Sequence, residues 1–381
     1  MTDPATHALL PEGLHDTLAP AAEFEFRTVV TLLSCFAQYG YDQVAPPLVE
    51  FEESLLAGVG AAEGRRMFRL MDPVSSRMMG VRTDMTTQVA RIAATRLAGA
   101  PRPTRLCYAG QVLRVKSSQL RSEREFGQAG VELIGSDSLN AKAEVIALAG
   151  EALKSVGANQ FSVDLTVPTL VPMIVEALGL AAAEAEAARI ALDEKDMAAL
   201  AAIDGQAGEV LEQLLSAAGP AEKALGILKG MTLPPPAAEL VQRLQDLVGK
   251  LQVLAPDLTL TIDPGEFRRF EYHSGICFTI FASGVPGEIG RGGRYDVQVE
   301  GGTEPAVGAT LYVDALLRTL PRPAGSKSVY LPAGTAPDAA KALRESGLRT
   351  IQGLEPVDDE AEEAKRLGCS HVFQNGRAEE L

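Results

Sequence analysis

Two strand-like stretches joined by a polar loop place the strongest constraint on how this chain can fold. Residues 105–115 and 124–134 are each long enough for a strand, and the residues between them are polar. So short a connection favours an antiparallel pair, because a parallel pair needs a crossover of about a dozen residues or more. Further elements are predicted from periodicity and from Gly and Pro breaks. They are strands at 43–44, 67–71, 77–81, 161–166, 258–262, 270–282 and 305–313, and helices at 19–39, 85–97 and 139–156. Long antiparallel hairpins interrupted by helices predict an α+β domain and not a doubly wound sheet.

Two changes in composition divide the chain. Residues 170–253 are rich in Ala, Leu and Glu, which favours helices. Breaks at Asp204-Gly205, Gly219-Pro220 and Pro234-Pro235-Pro236 separate several of them. The PAGSK segment at 323–327 is a linker in pattern, and β-α-β-α-β periodicity follows it. We therefore expect one large domain over 1–322, with a helical segment at about 170–254, and a small α/β module over 323–381.

Composition narrows the possible functions. The formal net charge is −15, which opposes nucleic-acid binding over most of the surface. Arg65, Arg66, Arg69 and Arg77 cluster in sequence, and a solvated charged hairpin is the simplest interpretation of them. Four cysteines and four histidines are too dispersed for a disulfide framework or a metal site. No apolar run reaches the roughly 18 residues of a membrane span, and the N-terminus lacks secretory character, so a cytoplasmic location is expected.

Residues 291–318, RGGRYDVQVEGGTEPAVGATLYVDALLR, resemble the final motif of histidyl-tRNA synthetase, a class II synthetase. In that family an arginine near the end of this motif holds the ATP γ-phosphate, and here Ala315 occupies its position. Residues 106–135 resemble the second motif, in which a glutamate accepts a hydrogen bond from adenine. Lys116 replaces that glutamate, and an ammonium group has no acceptor capacity. Phe126, which would stack on adenine, is kept, although a strand core would also accept it.

The same resemblance implies that the side of the site facing the amino acid is largely kept. In VRTDMTTQVAR (81–91) the acid position is held by Asp84 and the threonine position by Thr86, although an acid at a helix start is often only a cap. Gln128 and Glu132 lie four apart on a strand and share a face, where they could also simply face solvent. Arg114 matches an arginine that binds phosphate and carboxylate. In EFRRFEYHSGICF (266–278), three further matches are Arg268, Tyr272 and His273. The histidine-binding residues implied are Asp84, Thr86, Arg114, Gln128, Glu132, Arg268, Tyr272 and His273.

Loss of the nucleotide side with retention of the amino-acid side is similar to a paralogous family, the regulatory subunits of short-form ATP phosphoribosyltransferase. The resemblance implies a class II synthetase-like antiparallel sheet flanked by helices, with a shortened C-terminal module and no catalytic residue, cofactor or metal. It implies a catalytic-subunit partner in a hetero-octamer, a homodimer built around Pro47 in YGYDQVAPPLVE (39–50), and L-histidine as effector. A tRNA partner is not expected. Two alternatives stay open: an active histidyl-tRNA synthetase, and a paralogue that activates some other amino acid.

Overall fold

The chain forms two compact units, each with its own hydrophobic core. The computed structural model describes residues 9–57, 64–116, 123–203, 205–266, 275–321 and 327–381. Contacts divide the chain into Met1–Pro321 and Arg322–Leu381. Within the described ranges, none of the helices has both the length and the apolar character needed to cross a membrane.

The first unit is built on a mixed, mainly antiparallel sheet. Its strands are β1 (Asp42–Gln43), β2 (Val49–Phe51), β3 (Arg69–Met71), β4 (Met78–Val81), β5 (Thr104–Leu113), β6 (Glu125–Ile134), β7 (Phe161–Thr166), β8 (Gly219–Pro220), β9 (Thr259–Asp263), β10 (Cys277–Ala282), β11 (Glu288–Val299) and β12 (Gly302–Tyr312). The nine-stranded sheet has the order β1-β5-β6-β12-β11-β10-β7-β9-β8, and β2, β4 and β3 form a separate small sheet. From β5 to β7 along this order every pair is antiparallel. The predicted pairing of the 105–115 and 124–134 stretches is confirmed as β5 and β6.

Strand β11 was missed by the prediction of strands from periodicity. Its sequence, EIGRGGRYDVQV, contains three glycines and four charged residues, all of which weaken strand character. It nevertheless lies at the centre of the sheet, between β12 and β10. Backbone pairing with both β10 and β12 stabilises this strand despite its weak local strand propensity.

Helices cover both faces of this sheet. They are α1 (Ala21–Gln38), α2 (Glu52–Leu55), α3 (Thr86–Thr95), α4 (Leu139–Ser155), α5 (Leu170–Ala177), α6 (Ala182–Glu194), α7 (Met197–Ala201), α8 (Gln206–Ser216), α9 (Ala221–Gly230), α10 (Pro235–Leu254) and α11 (Val313–Leu317). Helices α5 to α10 occupy the Ala-, Leu- and Glu-rich stretch, and α10 begins within the predicted Pro break. Glu144 of α4 binds Arg105, which pairs with Leu133 across the β5–β6 ladder. Because successive strand residues face opposite sides, α4 lies on the Leu133 face and leaves Glu132 to the face covered by α3.

The second unit is a four-stranded sheet with two helices. Its elements are β13 (Ser328–Leu331), α12 (Pro337–Glu345), β14 (Arg349–Gln352), α13 (Glu360–Arg366), β15 (His371–Gln374) and β16 (Arg377–Glu380), with strand order β14-β13-β15-β16. The predicted β-α-β-α-β pattern is confirmed, but β16 was missed. Asn375 and Gly376 both have positive φ (53° and 77°) and form the turn of the last hairpin. An Asn-Gly pair is a strong hairpin signal and would have indicated this strand.

Candidate functional site

Gln128 joins the central sheet to the start of helix α3. It is fully buried on β6, and its amide nitrogen donates to Oδ2 of Asp84 at 2.9 Å. Its amide oxygen accepts from the backbone N–H of Met85 at 3.1 Å. The other carboxylate oxygen of Asp84 accepts from the backbone N–H of Thr86 at 2.8 Å. The alternative that Gln128 faces solvent is therefore wrong, and Asp84 is held half-buried at the helix start.

Glu132 lies four residues further along β6 and on the same face as Gln128, within a cluster of hydroxyl groups. It is 1% exposed, and it accepts from Tyr295 at 2.7 Å and from Tyr108 at 3.2 Å. The Tyr108 hydroxyl also lies 2.9 Å from that of Thr310 and 3.4 Å from that of Thr86. Burial raises the pKa of Glu132 to about 8, although hydrogen bonds from Tyr295, Thr86 and Tyr108 favour the charged form. Burial thus favours the protonated form of this carboxyl more than in a solvent-exposed glutamate.

Three members of this cluster were not predicted from the sequence: Tyr108, Tyr295 and Thr310. Tyr295 belongs to the GGRYD segment, and Tyr108 to LCYAG, so both lie within motifs that carried the resemblance. Strand register was the missing information. Gly130 of β6 pairs with Tyr108 on one side and with Thr310 on the other, so these residues share the face of Gln128 and Glu132.

Arg114 supplies a positive charge next to Phe126. Its guanidinium carbon lies 4.9 Å above the centre of the Phe126 ring, and a long hydrogen bond of 3.5 Å reaches the carbonyl oxygen of Thr83. Its Nε is buried and has no hydrogen-bond partner among the residues that the structure describes. Buried polar groups are normally satisfied, so this donor is available to a ligand acceptor.

A cleft of about 300 Å³ opens on the opposite face of the sheet, where Gln111 and Gly127 meet α1 and α11. It is lined by His15, Thr17, Glu25, Gln111, Glu123, Glu125, Phe126, Gly127, Asp314, Leu317 and Arg318. Four of these residues carry carboxylates, and Arg318 is ion-paired with Glu123 and lies 4.0 Å from Asp314. Ala315 is a buried methyl group on α11, and Lys116 is exposed.

Pro47 lies between β1 and β2, and its ring is exposed. Its carbonyl oxygen accepts from the amide of Gln88 at 2.7 Å, and Gln88 also donates to Glu50 at 2.9 Å. Glu50 binds both Nε and a terminal nitrogen of Arg91. These contacts fix the segment around Pro47 against α3.

The remaining predicted positions, Arg268, Tyr272 and His273, lie outside the described residues, and their assignment stays a prediction. In the parts of the chain that the structure describes, there is no cluster of three or more His, Cys, Asp or Glu side chains suited to a metal ion. The site is therefore described by Asp84, Thr86, Arg114, Gln128 and Glu132, with the hydroxyl cluster around them.

Comparison with known proteins identifies the family. A family model described as histidyl-tRNA synthetase matches residues 13–316. The ATP phosphoribosyltransferase regulatory subunit of Rhodospirillum centenum is 53% identical over 98% of this chain and 96% of its own length. That of Paramagnetospirillum magneticum is 53% identical over 97% of each chain. A crystal structure from Bacillus halodurans, described as an ATP phosphoribosyltransferase regulatory subunit/histidyl-tRNA synthetase, has the same fold, with a TM-score of 0.82 at 24% identity over 96% of this chain and 97% of that one. The chain therefore belongs to the family of ATP phosphoribosyltransferase regulatory subunits, which has the class II fold of histidyl-tRNA synthetase.

Proposed function

We propose that this chain is the non-catalytic regulatory subunit of a short-form ATP phosphoribosyltransferase, acting in the cytoplasm at the first step of histidine biosynthesis. The observation that carries the proposal is the buried polar network that joins Asp84, Gln128 and Glu132. It is kept although Lys116 and Ala315 stand where the resemblance places nucleotide-binding groups.

The buried network suits free histidine. The half-buried carboxylate of Asp84, held by Gln128, is placed to accept from an α-ammonium group. The unsatisfied Nε of Arg114 offers a charged donor to an α-carboxylate. Glu132 and its tyrosines offer donors and acceptors that can match both nitrogens of an imidazole ring. We therefore assign Asp84, Thr86, Arg114, Gln128 and Glu132 to histidine recognition.

The residues at the lost nucleotide positions disfavour adenylate chemistry. That chemistry needs cations placed against the triphosphate to stabilise charge as pyrophosphate leaves. Ala315 offers none, and Arg318 is already engaged by Glu123 and Asp314. Lys116 cannot accept a hydrogen bond from an adenine amino group. An active synthetase or another amino-acid-activating enzyme is thus disfavoured.

The partners follow from the family. The relatives are named as regulatory subunits of ATP phosphoribosyltransferase, so the partner proposed is the short catalytic chain. A hetero-octamer is the assembly that the resemblance implies. A homodimer would use the segment around Pro47, where Leu48 is 49% exposed, together with α1, where Phe26 is 69% exposed. Exposed large apolar side chains of this kind favour burial by a second chain.

Histidine would act by binding the two states of the complex with different affinity. Such coupling is typically worth about 1–3 kcal/mol and is reciprocal, so the catalytic partner must change the histidine affinity of this chain. Transmission would begin at the Asp84–Gln128 contact, because it ties the ligand pocket both to the sheet and to α3.

The test is co-expression with a short-form catalytic chain. We expect phosphoribosyltransferase activity to rise on addition of this chain and to fall with histidine, and calorimetric histidine affinities to differ between the isolated chain and the complex. Equal histidine affinities in the isolated chain and in the complex would contradict the proposed regulatory coupling. Histidine-dependent ATP–pyrophosphate exchange by the isolated chain would instead identify a synthetase.

A further inference from the structure

A second cavity lies on the face of the sheet opposite the site described above. It has a volume of about 130 Å³ and is lined by Asp137, Lys142, Leu240, Arg243, Gly275, Ile276 and Arg294. Three of these residues are cationic and come from three different elements: Lys142 from α4, Arg243 from α10 and Arg294 from β11. One carboxylate, that of Asp137, accompanies them in the described lining. A concentration of positive charge is unexpected in a chain with a net charge of −15.

Lys142 is the most unusual member of this set. It is only 4% exposed, and lysine is almost never buried to this extent unless it is paired. Its ammonium group donates to the backbone carbonyl oxygen of Asp137, which carries no full charge. Burial lowers the pKa of Lys142 to about 8, and the nearby guanidinium groups of Arg243 and Arg294 lower it further, against the opposite effect of Asp137. A bound anion would therefore stabilise the charged form of this ammonium group.

The two arginines differ in how firmly they are held. Arg294 is bound by Asp296 through both terminal nitrogens, and its Nε lies 3.5 Å from the carboxylate of Asp137. Arg243 is exposed on α10, and the described residues offer it no hydrogen bond or ion pair. A fixed cation, a buried cation and a cation with unused donors therefore meet at one cavity.

We propose that this cavity binds the phosphate group of a small molecule. Lys142 and Arg243 supply donors from two different helices, a phosphate offers more acceptor oxygens than a carboxylate, and arginine pairs with phosphate in bidentate geometry. Arg294, whose terminal nitrogens are held by Asp296, adds positive charge beside them. The volume is below the range of about 300–1,000 Å³ typical of pockets for larger ligands, so it suits one phosphate group and not a whole nucleotide. Bound phosphate would also bridge α10 to α4 and β11, which joins the helical layer to the sheet. This inference does not depend on histidine binding.

Titration calorimetry of the full chain with phosphate and with sulfate, at an ionic strength kept constant with chloride, tests the proposal. We expect saturable binding that weakens about tenfold or more in Arg243→Gln and in Lys142→Met, since each removes a charge-assisted hydrogen bond. Arg243 is exposed, so its variant should fold. Methionine keeps an unbranched side chain of similar length at Lys142 without its charge. Arg189→Gln, on the helical layer at α6, is the matched control and should bind as the wild type does.

Sulfate separates the protonation of Lys142 from that of phosphate, because sulfate does not titrate near pH 8. A bound anion should raise the pKa of Lys142, so the protein should take up protons when it binds sulfate near pH 8. This uptake is measured as a binding enthalpy that depends on the ionisation enthalpy of the buffer. Lys142→Met should abolish that uptake. Tighter binding of ribose 5-phosphate than of free phosphate would assign the group to a sugar phosphate, and equal or weaker binding would assign it to free phosphate.

Two results would overturn the proposal. One is the absence of saturable binding, or binding that neither Arg243→Gln nor Lys142→Met weakens. The other is acetate binding as tightly as phosphate, which would assign the cavity to a carboxylate such as an acidic side chain of a partner chain.

Discussion

Gly308 lies directly opposite Glu132 in the β6–β12 ladder, and a Cβ atom at Gly308 would come within 1.8 Å of Oε2 of Glu132. Glycine at this position is therefore what allows a carboxyl group to be folded flat against the neighbouring strand. The relationship links a motif glycine on β12 to the placement of a buried acid on β6.

Gly308→Ala should displace Glu132 from its two tyrosine donors. We expect a loss of about 1–3 kcal/mol in the free energy of unfolding, as is typical of overpacking, together with weaker histidine binding. Urea denaturation and calorimetry measure the two effects. Gly249→Ala on an exposed face of α10, where a Cβ would meet no atom within 4 Å, is the control. The control should be neutral or stabilising by up to about 1 kcal/mol. Wild-type stability for Gly308→Ala would contradict the steric argument.

Glu132 should make the stability of the chain fall as the pH rises. Its pKa is raised from an ordinary value of 4.5 to about 8 in the folded chain, so between these values the folded state holds a proton that the unfolded state has lost. The contribution is fully present below about pH 4.5 and is lost as the pH rises towards 8, with a slope on the order of 1 kcal/mol per pH unit at most. Glu132→Gln should remove this slope in urea denaturation at pH 5, 6.5 and 8. Glu239→Gln, at an exposed position on α10, is the control and should leave the pH dependence of the free energy of unfolding unchanged. If Glu132→Gln keeps the same slope as the wild type, another group is responsible for it.

Asp84→Asn should weaken histidine recognition. The amide keeps the size of the side chain and an oxygen for the Thr86 N–H, but it removes the negative charge proposed to meet the α-ammonium group and turns an NH2 group towards the donating amide nitrogen of Gln128. We expect histidine affinity to fall about tenfold or more, and the free energy of unfolding to fall by about 1–3 kcal/mol because the buried Gln128 loses an acceptor. Asp257→Asn, whose side chain is 85% exposed, is the matched control in calorimetry. Unchanged histidine affinity in Asp84→Asn would exclude this carboxylate from the site.

Ala315→Arg should not restore adenylate chemistry. The new guanidinium would enter a position that is 4% exposed, beside a cleft with four carboxylates, so ion pairing with them is expected instead of ATP binding. We expect background ATP–pyrophosphate exchange and a loss of about 1–3 kcal/mol of stability. Ala238→Arg, at an exposed position on α10, should be near neutral. Histidine-dependent ATP–pyrophosphate exchange by Ala315→Arg would contradict this prediction and show that the missing arginine alone prevents adenylate formation.

The sequence by itself determined the parts of the fold that depend on local pattern. The β5–β6 hairpin, helix α4, strand β7 and the two C-terminal helices follow from periodicity and from Gly and Pro breaks, which act over a few residues. Motif order along the chain also indicated the family, which the comparisons established. Arg268, Tyr272 and His273 stay predictions.

Only the tertiary structure decided how the site is assembled. Glu132 is surrounded by hydroxyl groups from residues as far as 163 positions away, and no periodicity reports on contacts at that distance. Strand β11 is weak locally and becomes central because it is paired on both sides. The acidic cleft brings Glu25 of α1 beside Asp314 of α11, and the cationic cavity brings α10 beside α4. Such groupings depend on strand register and helix packing, which are properties of the whole chain and not of any one segment.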